Sequence, residues 1–230
     1  MKKYRCAGYG LAIILSLVFS ASYAGAQTVK TVSEKSYIQA RQVLDAGLTA
    51  LGGREAISKL EDISLKFNGI NYARNQSASP DTAYFEGRID GTLMLDGKGN
   101  RAIFEQTSTL PGFKFHTRQI MKAEKGLAFD MDAKTATAFT NPNAIPNITR
   151  TRFPHGMLMA ALDRAATLRF LGEETFDGKK QRVITFATAD GTQWTLYFDA
   201  GTNLLTKFEN LDMDARAGDV TQEFIYPLWG

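Results

Sequence analysis

Leu93-Met94-Leu95-Asp96-Gly97-Lys98-Gly99-Asn100-Arg101-Ala102-Ile103-Phe104 is the stretch on which the fold class turns. Leu93 and Leu95 lead into an Asp-Gly and Gly-Asn cluster, and Ala102 and Phe104 return from it. Alternating apolar positions interrupted by such a cluster predict a β-hairpin. The glycines mimic a phosphate-binding loop, but strands flank them on both sides, whereas a phosphate cradle opens a helix.

Working outward, the same grammar recurs. Upstream, Ile63, Leu65 and Phe67 alternate with Ser64, Lys66 and Asn68, a strand packed on one side only. Before it, Ile38, Val43, Leu44, Leu48 and Leu51 carry helical spacing from Ser36, and Gly52-Gly53 stops the helix. A short turn, Arg54 to Leu60, follows. Downstream, strands are expected over Phe113 to Met121, Leu127 to Met131 and Thr135 to Phe139. Asn141 to Asn147, with two prolines, breaks the sheet pattern. Pro154 opens a helix running toward Ala166. Further strands are expected at Leu168 to Leu171, Arg182 to Thr188, Gln193 to Asp199, Leu204 to Leu211 and Val220 to Tyr226. About eleven strands and two helices result. Without βαβ alternation a parallel sheet is excluded. The expected fold is α+β: one large, curved antiparallel sheet, an open half-barrel, with helices against its concave face.

The 230 residues are 44% hydrophobic and include 15 phenylalanines, enough for one sizeable core and unlike a disordered chain. Residues 1–26 read as a secretory signal: Lys2, Lys3 and Arg5, an apolar run from Leu11 to Phe19, then Ala24-Gly25-Ala26 with cleavage after Ala26. The run is shorter than the roughly 18–20 residues of a membrane span, so no transmembrane segment is expected after signal removal. Cys6 precedes the run and is no lipid-attachment site, and the mature chain then has no cysteine. Disulfides and thiolate chemistry are excluded. The leader fits export to a Gram-negative periplasm. Residues 27–36 are expected to form a loose arm, and 37–230 a single β-rich domain. Losing Lys2, Lys3 and Arg5 leaves 24 basic against 24 acidic residues. That balance provides no footprint for nucleic acid.

Catalytic signals are sparse. His116 and His155 are the only imidazoles. His116 falls on the face opposite Phe113 and Phe115, and His155 at a helix start; neither sits in metal-ligand spacing. Asp130 and Asp132 with Asp199, or Asp212 with Asp214, are carboxylates at strand ends, where turn roles are commonest, and no EF-hand loop surrounds them. No catalytic residue, cofactor or metal is therefore assigned. What remains is an apolar interior, for which Phe104, Phe115, Phe129, Trp194, Phe198 and Phe208 are the candidates. They either line a ligand concavity or fill a packed core.

Several stretches carry a resemblance. They are Ala50-Leu51-Gly52-Gly53-Arg54-Glu55-Ala56-Ile57, Pro154-His155-Gly156 through Ala160 to Ala166, Asp190-Gly191-Thr192-Gln193-Trp194-Thr195-Leu196-Tyr197-Phe198-Asp199, and Thr202-Asn203-Leu204-Leu205. With Gly99-Asn100-Arg101, Glu105-Gln106-Thr107, Asp212-Met213-Asp214 and Gly218-Asp219-Val220, this order resembles the N-terminal domain ahead of the catalytic domain in exported metallo-β-lactamase-fold hydrolases. More distantly it is similar to the LolA/LolB lipoprotein-localisation fold. The hydrolases carry a His-x-His-x-Asp-His zinc motif in their next domain. That motif is absent here, so no hydrolase activity carries over, and the resemblance implies a chain truncated after Leu228-Trp229 or a free-standing copy.

The resulting expectation is a non-catalytic periplasmic module, partnered by a downstream metallo-hydrolase domain. The alternative is a free-standing carrier or chaperone for lipid or lipoprotein, with an acyl chain in the aromatic concavity. A hydrolase using His116 or His155 with nearby acids ranks last.

Overall fold

The computed structural model describes residues 30–73, 85–110, 112–214 and 218–226. The export signal read in residues 1–26 and the terminal Leu228-Trp229 lie outside the described residues. The chain divides into two units, Met1–Lys35 and Ser36–Gly230. Of the first, Lys30–Lys35 is described. It contains the start of helix α1 (Val32–Ala50). There the Thr31 hydroxyl accepts a hydrogen bond from the Glu34 backbone N–H at 3.2 Å. Thr-x-x-Glu is the capping-box sequence, so the helix starts at Val32, ahead of the Ser36 that the apolar spacing suggested.

The second unit carries the rest of α1, which stops at Gly52 and Gly53 with φ of 96° and 90°. The Gly53 N–H reaches back to the Leu48 carbonyl at 2.9 Å, a glycine-closed helix end. A one-turn helix, α2 (Arg54–Ser58), follows. Six strands then form a meander: β1 (Asp62–Ala73), β2 (Phe85–Asp96), β3 (Arg101–Leu110), β4 (Phe113–Lys122), β5 (Lys125–Asp130) and β6 (Thr135–Thr140). They pair in sequence order, every ladder antiparallel. Helices α3 (Ala144–Arg152) and α4 (Pro154–Asp163) come next, then a 3₁₀ turn at Ala165–Thr167. The last five strands are β7 (Arg169–Phe176), β8 (Lys179–Ala187), β9 (Gln193–Asp199), β10 (Leu205–Asp214) and β11 (Gly218–Ile225). They make a second antiparallel sheet in the order β11-β10-β9-β8-β7.

The α+β class and antiparallel pairing match the sequence reading, but a single curved sheet or open half-barrel does not. The strands form two separate sheets, neither closed into a barrel. The reason is the α3–α4 pair. After β6 the chain leaves as helices and returns in β7, which pairs with β8 instead of β6. Helix α3 itself is absent from the sequence reading because Pro146 looked like a breaker. It sits in the first turn, where a missing N–H costs nothing.

Each sheet has its own core. On the second, Ile184, Phe186, Trp194, Leu196, Phe198 and Phe208 pack against Ala40, Leu44 and Leu48 of α1 and Met157, Leu158 and Ala161 of α4. Gly47 permits the close approach of α1: a Cβ there would lie 2.5 Å from the Phe198 ring. On the first sheet, Leu93, Leu95, Ala102 and Met121 pack against Ile145 of α3 and Phe153.

Candidate apolar-ligand site

Side-chain alternation gives the first sheet two faces. The helix-side face holds Ile63, Leu65 and Phe67 of β1, and register carries the same face through Leu93, Leu95, Ala102, Phe104 and Met121. Helix α3 covers only the end of this face nearest the β2–β3 turn. Further along the strands the face continues as Phe67, Gly91 and Gln106, then Ile89, Ser108 and Phe115, then Leu110 and Phe113. None of these residues belongs to either buried core.

Two aromatic pairs dominate it. Phe67 and Phe104 stack with ring centroids 5.7 Å apart and planes 10° off parallel. Phe113 and Phe115 lie 6.3 Å apart, also stacked, and are 65% and 50% exposed. Gly91 lets the Phe67 ring lie flat on the sheet: a Cβ at Gly91 would stand 2.3 Å from the Phe67 Cζ. Polar side chains interrupt the apolar ones: Gln106, Ser108, Thr117 and Gln119 stand on the same face. Gln106 Nε2 donates to the Ser108 hydroxyl at 3.4 Å. From Phe104 to Leu110 along β3 the strip runs about 20 Å, at ~3.4 Å per residue. An apolar surface with scattered polar groups is the ordinary make-up of a small-molecule site.

The sequence candidates divide among three places. Phe104 and Phe115 share this open face. Phe129 pairs with Arg118 and projects from the opposite face. Trp194, Phe198 and Phe208 are buried to 5%, 1% and 0% exposure in the second sheet's core, where Trp194 and Phe208 pack at 5.7 Å. Phe67 and Phe113 belong with Phe104 and Phe115 but are missing from the sequence-derived set. The alternation Leu65-x-Phe67 and the Phe113-x-Phe115 spacing were the available signals.

The titratable candidates serve structure. His116 Nε2 bonds Glu105 Oε1 at 2.7 Å, and Arg118 donates to Glu105 Oε2 at 2.8 Å. Those bonds from His116 and then Arg118 hold the Glu105 carboxyl below the usual carboxylate range. His155 packs on Phe153 at 5.5 Å, and burial pushes its imidazole down. Asp130 accepts the Asp132 and Ala133 N–H groups, Asp132 accepts the His116 N–H, and Asp199 accepts those of Gly201 and Thr202. Asp212 accepts the Met213 N–H and a bond from Gln222. The Asp214 side chain lies outside the described residues. Among the described residues no cluster of three or more His, Cys, Asp or Glu groups could hold a metal. No described helix is long and apolar enough to cross a membrane.

No protein-family model and no curated protein matches the chain. Among solved structures, it overlaps a LolA superfamily protein from Nitrosomonas europaea at 13% identity and TM-score 0.35, covering 82% of this chain and 94% of that one. A putative outer membrane lipoprotein-sorting protein domain from Vibrio parahaemolyticus overlaps at 15% identity and TM-score 0.35, with coverages of 77% and 75%. A DUF1329 family protein from Desulfovibrio piger reaches TM-score 0.37 at 10% identity, with coverages of 75% and 73%. Overlaps this loose bear on neither ligand nor activity. Nothing in the fold or the comparisons ties the chain to a metallo-β-lactamase-fold hydrolase.

Proposed function

We propose that this chain is a carrier for an apolar ligand of the acyl-chain class, held on the half of the first sheet that α3 leaves uncovered. One observation supports it above the others: Phe113 and Phe115 form an exposed stacked pair on the same face as the Phe67–Phe104 stack. Contiguous exposed aromatic surface is costly in water, and where it persists it usually marks an interaction site. The strip is long enough, at about 20 Å, to take most of an extended acyl chain. With residues 1–26 read as an export signal, the working compartment is the periplasm and the cargo a lipid or the acyl end of a lipoprotein.

The test is titration of the purified chain with a fluorescent fatty acid. Phe115→Ala should weaken binding by at least tenfold. A buried aromatic contact is worth about 1.5–3 kcal/mol, and each ~1.4 kcal/mol is tenfold in Kd. Phe129→Ala, on the opposite face, should leave affinity unchanged. Equal effects of the two substitutions would contradict the assignment of the site to this face.

A further inference from the structure

The first sheet ends at two edge strands, β1 and β6, and the second at β7 and β11. Edge strands present unpaired backbone groups and are ordinarily blunted by charges, prolines or bulges. Three of these edges follow the rule. Asp62 and Lys66 stand on β1, and Asp219 and Glu223 on β11. Glu173 and Glu174 stand on β7, which also breaks register between Phe170 and Gly172. β6 does not follow it. Thr135-Ala136-Thr137-Ala138-Phe139-Thr140 holds no charge and no proline, and its ladder with β5 runs without a bulge. Apart from Phe139 the strand is exposed. Beyond Asn141 the chain enters α3, whose Ile145 packs with Leu93, Leu95 and Met121 on the helix-side face and not along this edge.

Register fixes which groups the edge offers. The Asn141 N–H donates to the Glu124 carbonyl at 2.6 Å, toward β5. Backbone groups of successive residues point to opposite sides of a strand, so Thr135, Thr137 and Phe139 also face β5, while Ala136, Ala138 and Thr140 face outward. Among the described residues no backbone bond reaches those outward N–H groups. The outward set is symmetric about Ala138. A second β6, related by a twofold axis through Ala138 and normal to the sheet, pairs Ala136 with Thr140, Ala138 with Ala138 and Thr140 with Ala136. All of the outward groups are then used, in about six hydrogen bonds. Charge selects the same partner. Glu124 and Lys134 flank the edge, exposed and in no ion pair among the described residues. The axis that pairs the strands brings Glu124 to about 10 Å from Lys134 of the second copy, Cα to Cα, and does so twice. The nearest like pair, Lys125 with Lys134 of the second copy, is farther apart at about 12 Å. An extended peptide of unrelated sequence would satisfy the backbone but would not bring this lysine and glutamate with it.

We propose that two copies of this chain join edge to edge through β6, merging their first sheets into one continuous antiparallel sheet. Such self-complementarity is what a twofold interface requires. Rotation about an axis normal to the sheet keeps both helix-side faces on one side, so both ligand strips remain open and clear of the contact. A contact of one strand pair sits at the transient end of specific interfaces, with Kd on the order of 10–100 µM. The carrier reading does not depend on it.

The experiment is sedimentation equilibrium of the purified chain at low salt from about 5 µM to about 1 mM, with amide hydrogen exchange at both ends of that range. Wild-type protein should pass from monomer to dimer, and the Ala136, Ala138 and Thr140 amides should exchange about fivefold more slowly at the top of the range. Ala138→Pro removes an outward N–H and leaves the β5 ladder its bonds. It should stay monomeric, with unchanged circular dichroism and fatty-acid binding. Lys134→Glu and Glu124→Lys should each weaken association about fivefold. An equal mixture of those two variants should recover the dimer, since both cross-copy pairs then set opposite charges together. Monomer throughout the range overturns the proposal, as does a dimer that survives Ala138→Pro or a mixture that fails to recover. So does slow exchange of the three amides already in the monomer, which would place the cover of this edge within a single copy.

Discussion

Gly91→Ala is a small change with a large expected consequence. The added methyl would stand 2.3 and 2.8 Å from the Phe67 ring and 2.7 Å from the Glu105 carbonyl oxygen. The ring can swing outward, but the Glu105 carbonyl belongs to β3, which is paired to β2 along its length. Overpacking of this kind costs about 1–3 kcal/mol. Displacing Phe67 from its stack on Phe104 adds about 0.5–1.5 kcal/mol. Replacing a strand glycine returns roughly 0.5–1 kcal/mol of backbone entropy. The net is a loss of about 2 kcal/mol, or ~4–8 °C in Tm for a chain of this size. Calorimetry gives the stability and fatty-acid titration the site, and both should fall together. Phe67→Ala in the same background should recover part of the loss, because it removes one of the two clashes. A Gly91→Ala protein that is more stable than wild type, as propensity alone would have it, refutes the close approach and the flat Phe67 ring with it.

Other consequences follow from the second sheet and the helices. Gly47→Val should destabilise by about 2–3 kcal/mol in urea denaturation, because the Phe198 ring 2.5 Å from the new Cβ is fully enclosed; an unchanged midpoint would contradict that packing. Lys207, 7% exposed, bonds Glu209 and Glu223 at 2.8 Å and lies 4.1 Å from the Tyr197 ring centroid. Lys207→Ala leaves those carboxylates facing each other and should cost about 2 kcal/mol, with Glu223→Gln in the same chain restoring some of it. Burial holds the His155 imidazole below its ordinary value, so the unfolded chain binds the proton first as pH falls. The contribution is intact above the unfolded value of about 6.5 and is lost progressively below it. His155→Phe should flatten the pH dependence of the urea midpoint between about 7.5 and 5.5; an unaltered slope would assign the effect elsewhere.

Local structure was legible where chemistry is local. Gln193 to Asp199 is a strand with the expected bounds, since Trp194, Leu196 and Phe198 alternate without interruption. The Asp96 to Arg101 hairpin is closed as its turn residues demand, with the Gly99 N–H bonded to Asp96 Oδ1. Two features escaped. Helix α3 was hidden by Pro146, although Ile145 and Ile148 one turn apart were its signal. The division into two sheets depends on which strand β7 meets after the helices, a long-range choice that no window of residues encodes. The candidate site suffered for the same reason. Phe104, Phe129 and Trp194 look equivalent as aromatics in strands, yet register sends the first two to opposite faces and the sheet division buries the third in another core. Only once the ladders are known do Phe67 and Phe113 join Phe104 and Phe115.

The central claim is that the open half of the first sheet holds an acyl ligand, and native mass spectrometry of the chain purified gently from the periplasm tests it most directly. The account predicts a bound species of lipid mass that is released on denaturation and depleted in a Phe113→Ser/Phe115→Ser double variant. A bare protein mass, together with no saturable uptake of added fatty acid, would contradict it.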